Sequence, residues 1–221
     1  MKIIQHHCVE ISYKDTNIVL YVVANSADRT RGKIYAVHGD VDVNYSGLTF
    51  YLNGVSAGSG TQGTNAIAIG NTTGASYQRS GAIAIGFNAG AFGATAGSTQ
   101  GQGLNAIAMG VNAGSTNQGT SAIAIGDQSG IQNQGTQAIA IGNLAGQTNQ
   151  GQTAIAIGLN AGSGTQGTQA IAIGNLAGNA NQGLLSIGIG RSAGQGGQGS
   201  QSIAIGYLAG FNTQGANSIA I

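Results

Sequence analysis

The chain has 221 residues, a formal net charge of +1 and only 6% charged residues, with 41 glycines and no proline. This low charge argues against a nucleic-acid surface, and no apolar stretch reaches the roughly 18 residues that a membrane-spanning helix needs. The single cysteine cannot form a disulfide within the chain. The absence of proline favours a chain built almost entirely of strand ladders, because proline lacks the backbone N–H that a ladder needs.

Residues 1–50 differ in composition from the rest of the chain. They hold ten of the thirteen charged residues (seven Lys or Arg plus six Asp or Glu), and the only charged residues after them are Arg79, Asp127 and Arg191. The segments CVEISY, NIVLYVVA, KIYAV and LTFYL are rich in β-branched and aromatic residues and predict four strands. A domain of this size has little core of its own. We expect residues 1–50 to form a small β-rich module that caps and anchors the remainder of the chain.

From residue 51 onward one phrase, typified by QAIAIGNLAG at 169–178, recurs along the chain. Its first isoleucine returns with a 16-residue period, except for one longer interval between Ile83 and Ile107. Two glycines and a glutamine return with the same interval, and the segment from Tyr51 to Gly54 fits as a degenerate first unit. A period this strict is the signature of stacked coils, and it predicts about eleven repeats over residues 51–221.

The length of the repeat indicates which kind of coil it forms. A helical repeat needs about 33 residues, so 16 is too short for one. The alternation in AIAIG places both isoleucines on one strand face and the alanine between them on the other. We therefore predict an all-β fold, with a parallel β-solenoid (β-roll) of 16-residue coils after the N-terminal module. Stacked at about 4.8 Å, about eleven coils make a rod of about 50 Å.

The isoleucine columns are the predicted interior of the coils, and the alanine column is predicted to face outward. The predicted core residues are Ile67, Ile69, Ile83, Ile85, Ile107, Met109, Ile123, Ile125, Ile139, Ile141, Ile155, Ile157, Ile171, Ile173, Ile187, Ile189, Ile203 and Ile205.

The glutamine column is predicted to form a ladder of amide hydrogen bonds from coil to coil. The alternative is a polar stripe that binds glycan. The predicted ladder consists of Gln102, Gln118, Gln134, Gln150, Gln166, Gln182, Gln198 and Gln214.

The longer interval places an eight-residue insertion at about 91–101. Insertions in solenoids map to loops on one face and often carry binding. Phe92 is the bulky residue of this segment. It is either part of a recognition loop or a side chain that packs against the stack beside a tolerated bulge.

Candidate catalytic and metal-binding residues are few. His6, His7 and Cys8, with His38 and Asp40, can be imagined as a metal site. On a strand, however, His7 would point away from His6 and Cys8. We favour ordinary strand residues and predict no metal and no cofactor. The repeats hold no histidine and one acidic residue, so we expect no catalytic site and no enzyme activity.

A single rod of such coils has a thin core, so its stability alone is marginal. Ordering the 16 residues of a coil costs more backbone entropy than two buried isoleucines offset. Ladder hydrogen bonds bring the sum close to balance. The predicted outward stripe of small alanines would let another rod approach closely. We therefore expect identical rods to associate laterally, in a closed cyclic ring.

The strings NAIAIGNTTG, SAIAIGDQSG and NSIAI resemble the head repeats of trimeric autotransporter adhesins. The resemblance covers residues 51–221 and implies three intertwined, left-handed parallel β-rolls, and hence a homotrimer. Similar repeats also occur in fibres of large viruses and phages. The segment MKIIQHHCVE has no basic stretch followed by an apolar run of 7–15 residues, which a secretion signal would have.

These observations favour a structural fibre or shaft protein at the surface of a virion. Residues 1–50 would attach it to capsid or tail proteins. A tip beyond Ile221 would then contact a host receptor or glycan, because the repeat phrase is still running at that residue. The alternative is a secreted or bacterial cell-surface adhesin head, whose repeats bind host or matrix directly.

A weaker alternative is an ice-binding solenoid. Such a protein needs a flat face rich in threonine. Here threonine forms one interrupted column, Thr64, Thr120, Thr136 and Thr168.

Overall fold

The computed structural model describes residues 2–4, 8–12, 19–24, 32–34, 50–52, 56–91 and 101–221. All regular structure within these ranges is β-strand, and no helix in them is long and apolar enough to cross a membrane. The chain divides into two compact units, Met1–Tyr45 and Ser46–Ile221.

The first unit contains a four-stranded antiparallel sheet in the order β1-β2-β3-β4. Its strands are β1 (Lys2–Ile4), β2 (Cys8–Ser12), β3 (Val19–Ala24) and β4 (Gly32–Ile34). The segments CVEISY, NIVLYVVA and KIYAV thus supply strands, and β1 is an additional one. The fourth predicted segment, LTFYL, does not join this sheet, because its strand pairs with the first repeat of the second unit.

The second unit is a parallel β-solenoid, as the 16-residue period predicts. Each strand of its main sheet pairs with the strand one repeat later, as in Ile139↔Ile155 and Ile141↔Ile157. The main sheet consists of β5 (Phe50–Leu52), β7 (Ile67–Ile69), β9 (Ile83–Ile85), β10 (Ile107–Met109), β12 (Ile123–Ile125), β14 (Ile139–Ile141), β15 (Ile155–Ile157), β17 (Ile171–Ile173), β19 (Ile187–Ile189), β20 (Ile203–Ile205) and β21 (Ile219–Ala220).

Short second strands around the glutamines form the other side of the coil, and single bridges continue their pairing. These strands are β6 (Thr61–Gln62), β8 (Tyr77–Gln78), β11 (Thr116–Gln118), β13 (Gln132–Gln134), β16 (Thr165–Gln166) and β18 (Asn181–Gln182).

Two places where the repeat is irregular are absorbed without breaking the main sheet. In the first coil Phe50 pairs with Ile67, so the strand begins one residue earlier than the expected degenerate unit at Tyr51. At the longer interval Ile83 pairs directly with Ile107. The insertion therefore leaves the ladder intact. Phe92 itself lies outside the described residues.

From β7 onward the central residue of the isoleucine strands is alanine, except for Gly188 in β19, and these alanines line the interior of the coil. Ala140, Ala156 and Ala172 are 0% exposed, whereas the isoleucines on either side of each one are only partly buried. The prediction that isoleucine fills the coil is therefore wrong for the single chain. This holds for the whole predicted core set, which runs from Ile67 to Ile205 and includes Met109. The predicted outward alanine stripe is wrong for the same reason.

The narrow bore of the coil explains this arrangement. A Cβ added at Gly146 would lie 3.1 Å from the Cβ of Ala140 and 2.8 Å from the Oε1 atom of Gln150. The space between the two walls of the coil thus holds methyl groups and one amide per turn. It has no room for a branched four-carbon side chain, because protein interiors are already close-packed.

The glutamine column lies inside the coil rather than on its surface, and it connects the two walls. In Gln150 the Nε2 atom donates to the carbonyl oxygen of Ile139 at 2.7 Å and to that of Ala154 at 3.4 Å. The residues Gln78, Gln102, Gln118, Gln134, Gln166, Gln182, Gln198 and Gln214 repeat both contacts.

The amide ladder predicted for this column forms only in part. Gln166 donates to Gln182 at 3.0 Å, and Gln182 donates to Gln198 at 3.2 Å. At the other predicted positions, Gln102, Gln118, Gln134, Gln150 and Gln214, the amide bonds to backbone carbonyl oxygens instead. The column therefore holds each strand to the wall opposite, and a glycan on the outer surface cannot reach it.

Candidate self-association surface

The outward side chains of the main sheet form two parallel columns of isoleucine, which we call the isoleucine face. It exists because strand residues alternate between sides, so buried alanines require exposed isoleucines. Ile157, Ile173 and Ile189 are each 36% exposed, and Ile205 is 40% exposed. The exposed residues are stacked one repeat apart, so the face is a continuous apolar strip along the solenoid.

The strip is large for an exposed apolar surface. The ten strands from β7 to β21, about 4.8 Å apart, give a length of about 50 Å, and two columns give a width of about 10 Å. The resulting area of about 500 Å² is near the upper end of what a monomeric protein exposes, and patches of this size often mark interfaces. The isoleucine face is therefore the candidate site for a macromolecular partner.

A glycine corner ends each isoleucine strand and keeps successive coils in close register. Gly142, which follows Ile141, has a φ of +127°, a backbone conformation that favours glycine. A Cβ placed there would lie 2.6 Å from the carbonyl oxygen of Gly158 in the next coil. This close backbone approach explains why the repeat phrase closes on glycine and why the face stays regular.

The few charged residues of the solenoid lie on corners and not on the isoleucine face. The exposed Asp127 accepts a hydrogen bond from Nδ2 of Asn143 at 3.1 Å. The Arg191 guanidinium lies 5.5 Å from the ring centroid of Tyr207. No charged residue stands on the isoleucine strands, so the face itself offers a partner only apolar side chains.

A shallow groove of about 300 Å³ lies beside the point where the insertion joins the stack. It is lined by Gly63, Tyr77, Gln78, Arg79, Ser80 and Leu104. Arg79 occupies a position that is glycine in the other coils. The hydrogen bond from its backbone nitrogen to the carbonyl oxygen of Gln102 measures 3.2 Å, against 2.7 Å for Gly63 to Gln78. The coils are slightly further apart here, and Tyr77 and Arg79 are among the residues that line the gap.

The candidate metal ligands singled out in the sequence fall within residues 1–50. His6, His7, His38 and Asp40 lie outside the described residues. Within the described ranges no cluster of three or more His, Cys, Asp or Glu residues could hold a metal ion.

The threonines considered for ice binding lie in turns at the corner before the isoleucine strand and not on a flat strand face. They are Thr64, Thr120, Thr136 and Thr168.

An exposed amide ladder that the sequence interpretation missed lies one residue before the glutamine column. Asn117 donates to Asn133 at 2.9 Å, and Asn133 donates to Asn149 at 2.9 Å. The signal was the recurrence of asparagine at a 16-residue interval.

No family model, no curated protein and no solved structure matches the chain.

Proposed function

We propose that the protein is a non-catalytic structural fibre of a virion, in which three copies associate side by side through their isoleucine faces to form a shaft. The observation that carries this proposal is the isoleucine face itself. An apolar strip that runs the length of the solenoid costs free energy while it stays in water, at roughly 25 cal/mol per Å². Burying it stabilises any assembly that covers it.

A second copy of the chain is the partner that fits this strip best. The isoleucines repeat at the coil spacing of about 4.8 Å. Another copy carries two columns with an identical spacing, so its side chains can interdigitate over the whole length and not only at one point. The lack of charge on the face removes the electrostatic penalty of bringing like surfaces together. The resemblance to trimeric adhesin repeats favours three copies in a closed ring.

The division of charge between the two units supports an anchor and a shaft. Residues 1–50 hold ten of the thirteen charged residues, and charged and polar groups give an interface its specificity. In this proposal they bind capsid or tail proteins. The coils set the distance between the particle surface and the point of host attachment.

The mass of the assembled protein tests the proposal. Light scattering of the full chain should give about three times the chain mass of 21.7 kDa. A monodisperse monomer with a full β signal would contradict lateral association. Mass spectrometry of purified particles from the native source tests the location. Absence of the chain from particles, together with its presence on a cell surface, would favour an adhesin instead.

The groove at Tyr77 and Arg79 is the specific observation that favours the adhesin alternative. A tyrosine and an arginine beside this groove suit a sugar that carries a carboxylate, because arginine pairs with carboxylates through two hydrogen bonds. If the repeats bind host glycans, Arg79→Gly, which restores the residue found in the other coils, should abolish binding to immobilised acidic glycans. Unchanged binding, or none in the parent chain, would leave the fibre as the better proposal.

A further inference from the structure

The isoleucine strands from β7 to β20 are each followed, after a closing glycine, by two residues that turn the chain through what we call the first corner. The earlier of the two positions holds Asn71, Phe87, Val111, Asp127, Asn143, Leu159, Asn175, Arg191 and Tyr207. The later position holds Thr72, Asn88, Asn112, Gln128, Leu144, Asn160, Leu176, Ser192 and Leu208.

Large apolar residues recur at the first corner without filling either position consistently. The coils with Phe87, Val111 and Leu159 carry asparagine at the later position. The coils with Leu144 and Leu176 carry asparagine at the earlier position. Most coils thus present one large apolar side chain at this corner, directly beside the isoleucine face. Phe87, Val111 and Leu159 are all exposed in the single chain.

The leucines stand in a backbone conformation that disfavours them. Leu144, Leu176 and Leu208 have φ values of +58°, +60° and +60°. Asparagine tolerates this left-handed region, whereas a bulky side chain there is an outlier. Asn112 and Asn160 hold the same position in other coils, with φ values of +53° and +54°. The fold therefore accepts asparagine here and has no local need for leucine.

None of these three leucines is fully buried within the single chain. Leu144 and Leu176 are only partly buried, and Leu208 is exposed. The corner on the other side of the isoleucine strand is mostly polar, with Asn65 and Asn105 at its left-handed position, and Leu185 is the leucine that occupies this position there. Apolar residues are therefore concentrated on one flank of the face. A one-sided flank is what a ring requires, because in a ring the two sides of each copy meet different neighbours.

We propose that the first corner is a second contact surface, on which a neighbouring copy of the chain covers Leu144, Leu176 and Leu208. The inference rests on the proposed lateral association and adds where each copy meets its neighbour. The apolar surface of one chain turns around the corner, so each copy contacts its neighbour through the corner as well as through the face.

The substitution Leu176→Asn tests this surface by the sign of its effect. It relieves the backbone conformation and removes the apolar side chain. Without a neighbour at the corner, the midpoint of thermal unfolding of the full chain should rise. With a neighbour, it should fall. In the triple variant with Leu144→Asn and Leu208→Asn, the concentration at which half the assembly dissociates should rise at least about tenfold.

Gln128→Asn is the matched control, because Gln128 occupies the same position with a φ of +56° and is not apolar. It reports the benefit of asparagine alone, and its midpoint should rise slightly or stay unchanged. A rise or no change for Leu176→Asn would overturn the corner contact. If the parent chain is trimeric in that case, lateral association stands and only this inference fails. If the parent chain is monomeric, both fail.

Discussion

The side-chain amide of Gln150 lies 2.7 Å from the carbonyl oxygen of Ile139 and so joins the two walls of one coil through its interior. The glutamine comes from the short second strand and the isoleucine from the main sheet. Gln150 is 2% exposed. Since the coil contains little apolar volume, the hydrogen bonds of this buried amide are among the main interactions that stabilise its interior.

Replacing Gln150 with glutamate should destabilise the fold and make its stability depend on pH. Among the described residues nothing donates to Oε1 of Gln150, so an introduced carboxylate would be buried beside carbonyl oxygens. We expect a loss of at least about 3 kcal/mol at neutral pH. Denaturant unfolding measures it.

The direction of the pH dependence follows from burial. Burial raises the pKa of the introduced carboxyl above its unfolded value of about 4.3. Between these two pKa values the folded state binds more protons, so stability falls as pH rises and recovers as pH falls. Gln152→Glu, at an exposed position of the same coil, should show neither effect. Equal behaviour of the two variants would show that the glutamine column is not buried.

Enlarging an interior alanine should disrupt the coil. Ala156 is 0% exposed, and a Cβ added at Gly162 would lie only 3.3 Å from the Cβ of Ala156. Ala156→Leu should therefore cost at least about 3 kcal/mol, at the upper end of overpacking effects. Thermal unfolding followed by circular dichroism measures this. Ala216 is exposed at a corner and occupies the repeat position that Leu184 holds two coils earlier. Ala216→Leu should therefore change the free energy of unfolding by no more than about 0.5 kcal/mol. A tolerated Ala156→Leu would disprove the assigned interior.

A charge on the isoleucine face should affect assembly more than folding. Ile173 is 36% exposed, so a single coil can keep an aspartate at this position in water. In the assembly Ile173→Asp would bury unpaired carboxylates close together. We expect the mass from light scattering to fall to that of one chain while the β signal persists. Thr165→Asp adds the same charge on the exposed side of the second strand, and its mass should not change. Dissociation of both variants would argue against the isoleucine face as the contact.

Glycine to alanine substitutions should have opposite effects at two positions. Gly142→Ala would put a Cβ 2.6 Å from a carbonyl oxygen at a φ of +127°, and we expect a loss of about 2–4 kcal/mol. Gly188 stands where Ala172 and Ala204 stand in the flanking coils. Gly188→Ala should stabilise by about 0.5–1 kcal/mol, because glycine weakens a strand interior. Chemical denaturation measures the free energy of unfolding of the two variants. A stabilising Gly142→Ala would contradict the coil register.

The repeat alone was enough to predict the coil. Isoleucines, glycines and glutamines that recur with a 16-residue period predict parallel strands stacked in register, and Ile139 does pair with Ile155. The insertion was also visible as a longer interval. The strand at Phe50–Leu52 was expected one residue later, because the first unit lacks the AIAIG pattern that marks the strand elsewhere.

Only the tertiary structure decided which face of the strand is inside. A period of two separates Ile139 and Ile141 from Ala140, but it carries no information on which set is buried. From hydrophobicity alone isoleucine was expected to be buried. In the structure the narrow coil buries alanine instead. Between two walls that are bridged by the side chain of Gln150 there is space for a methyl group and an amide, so the larger isoleucines are directed outward, where a partner can cover them.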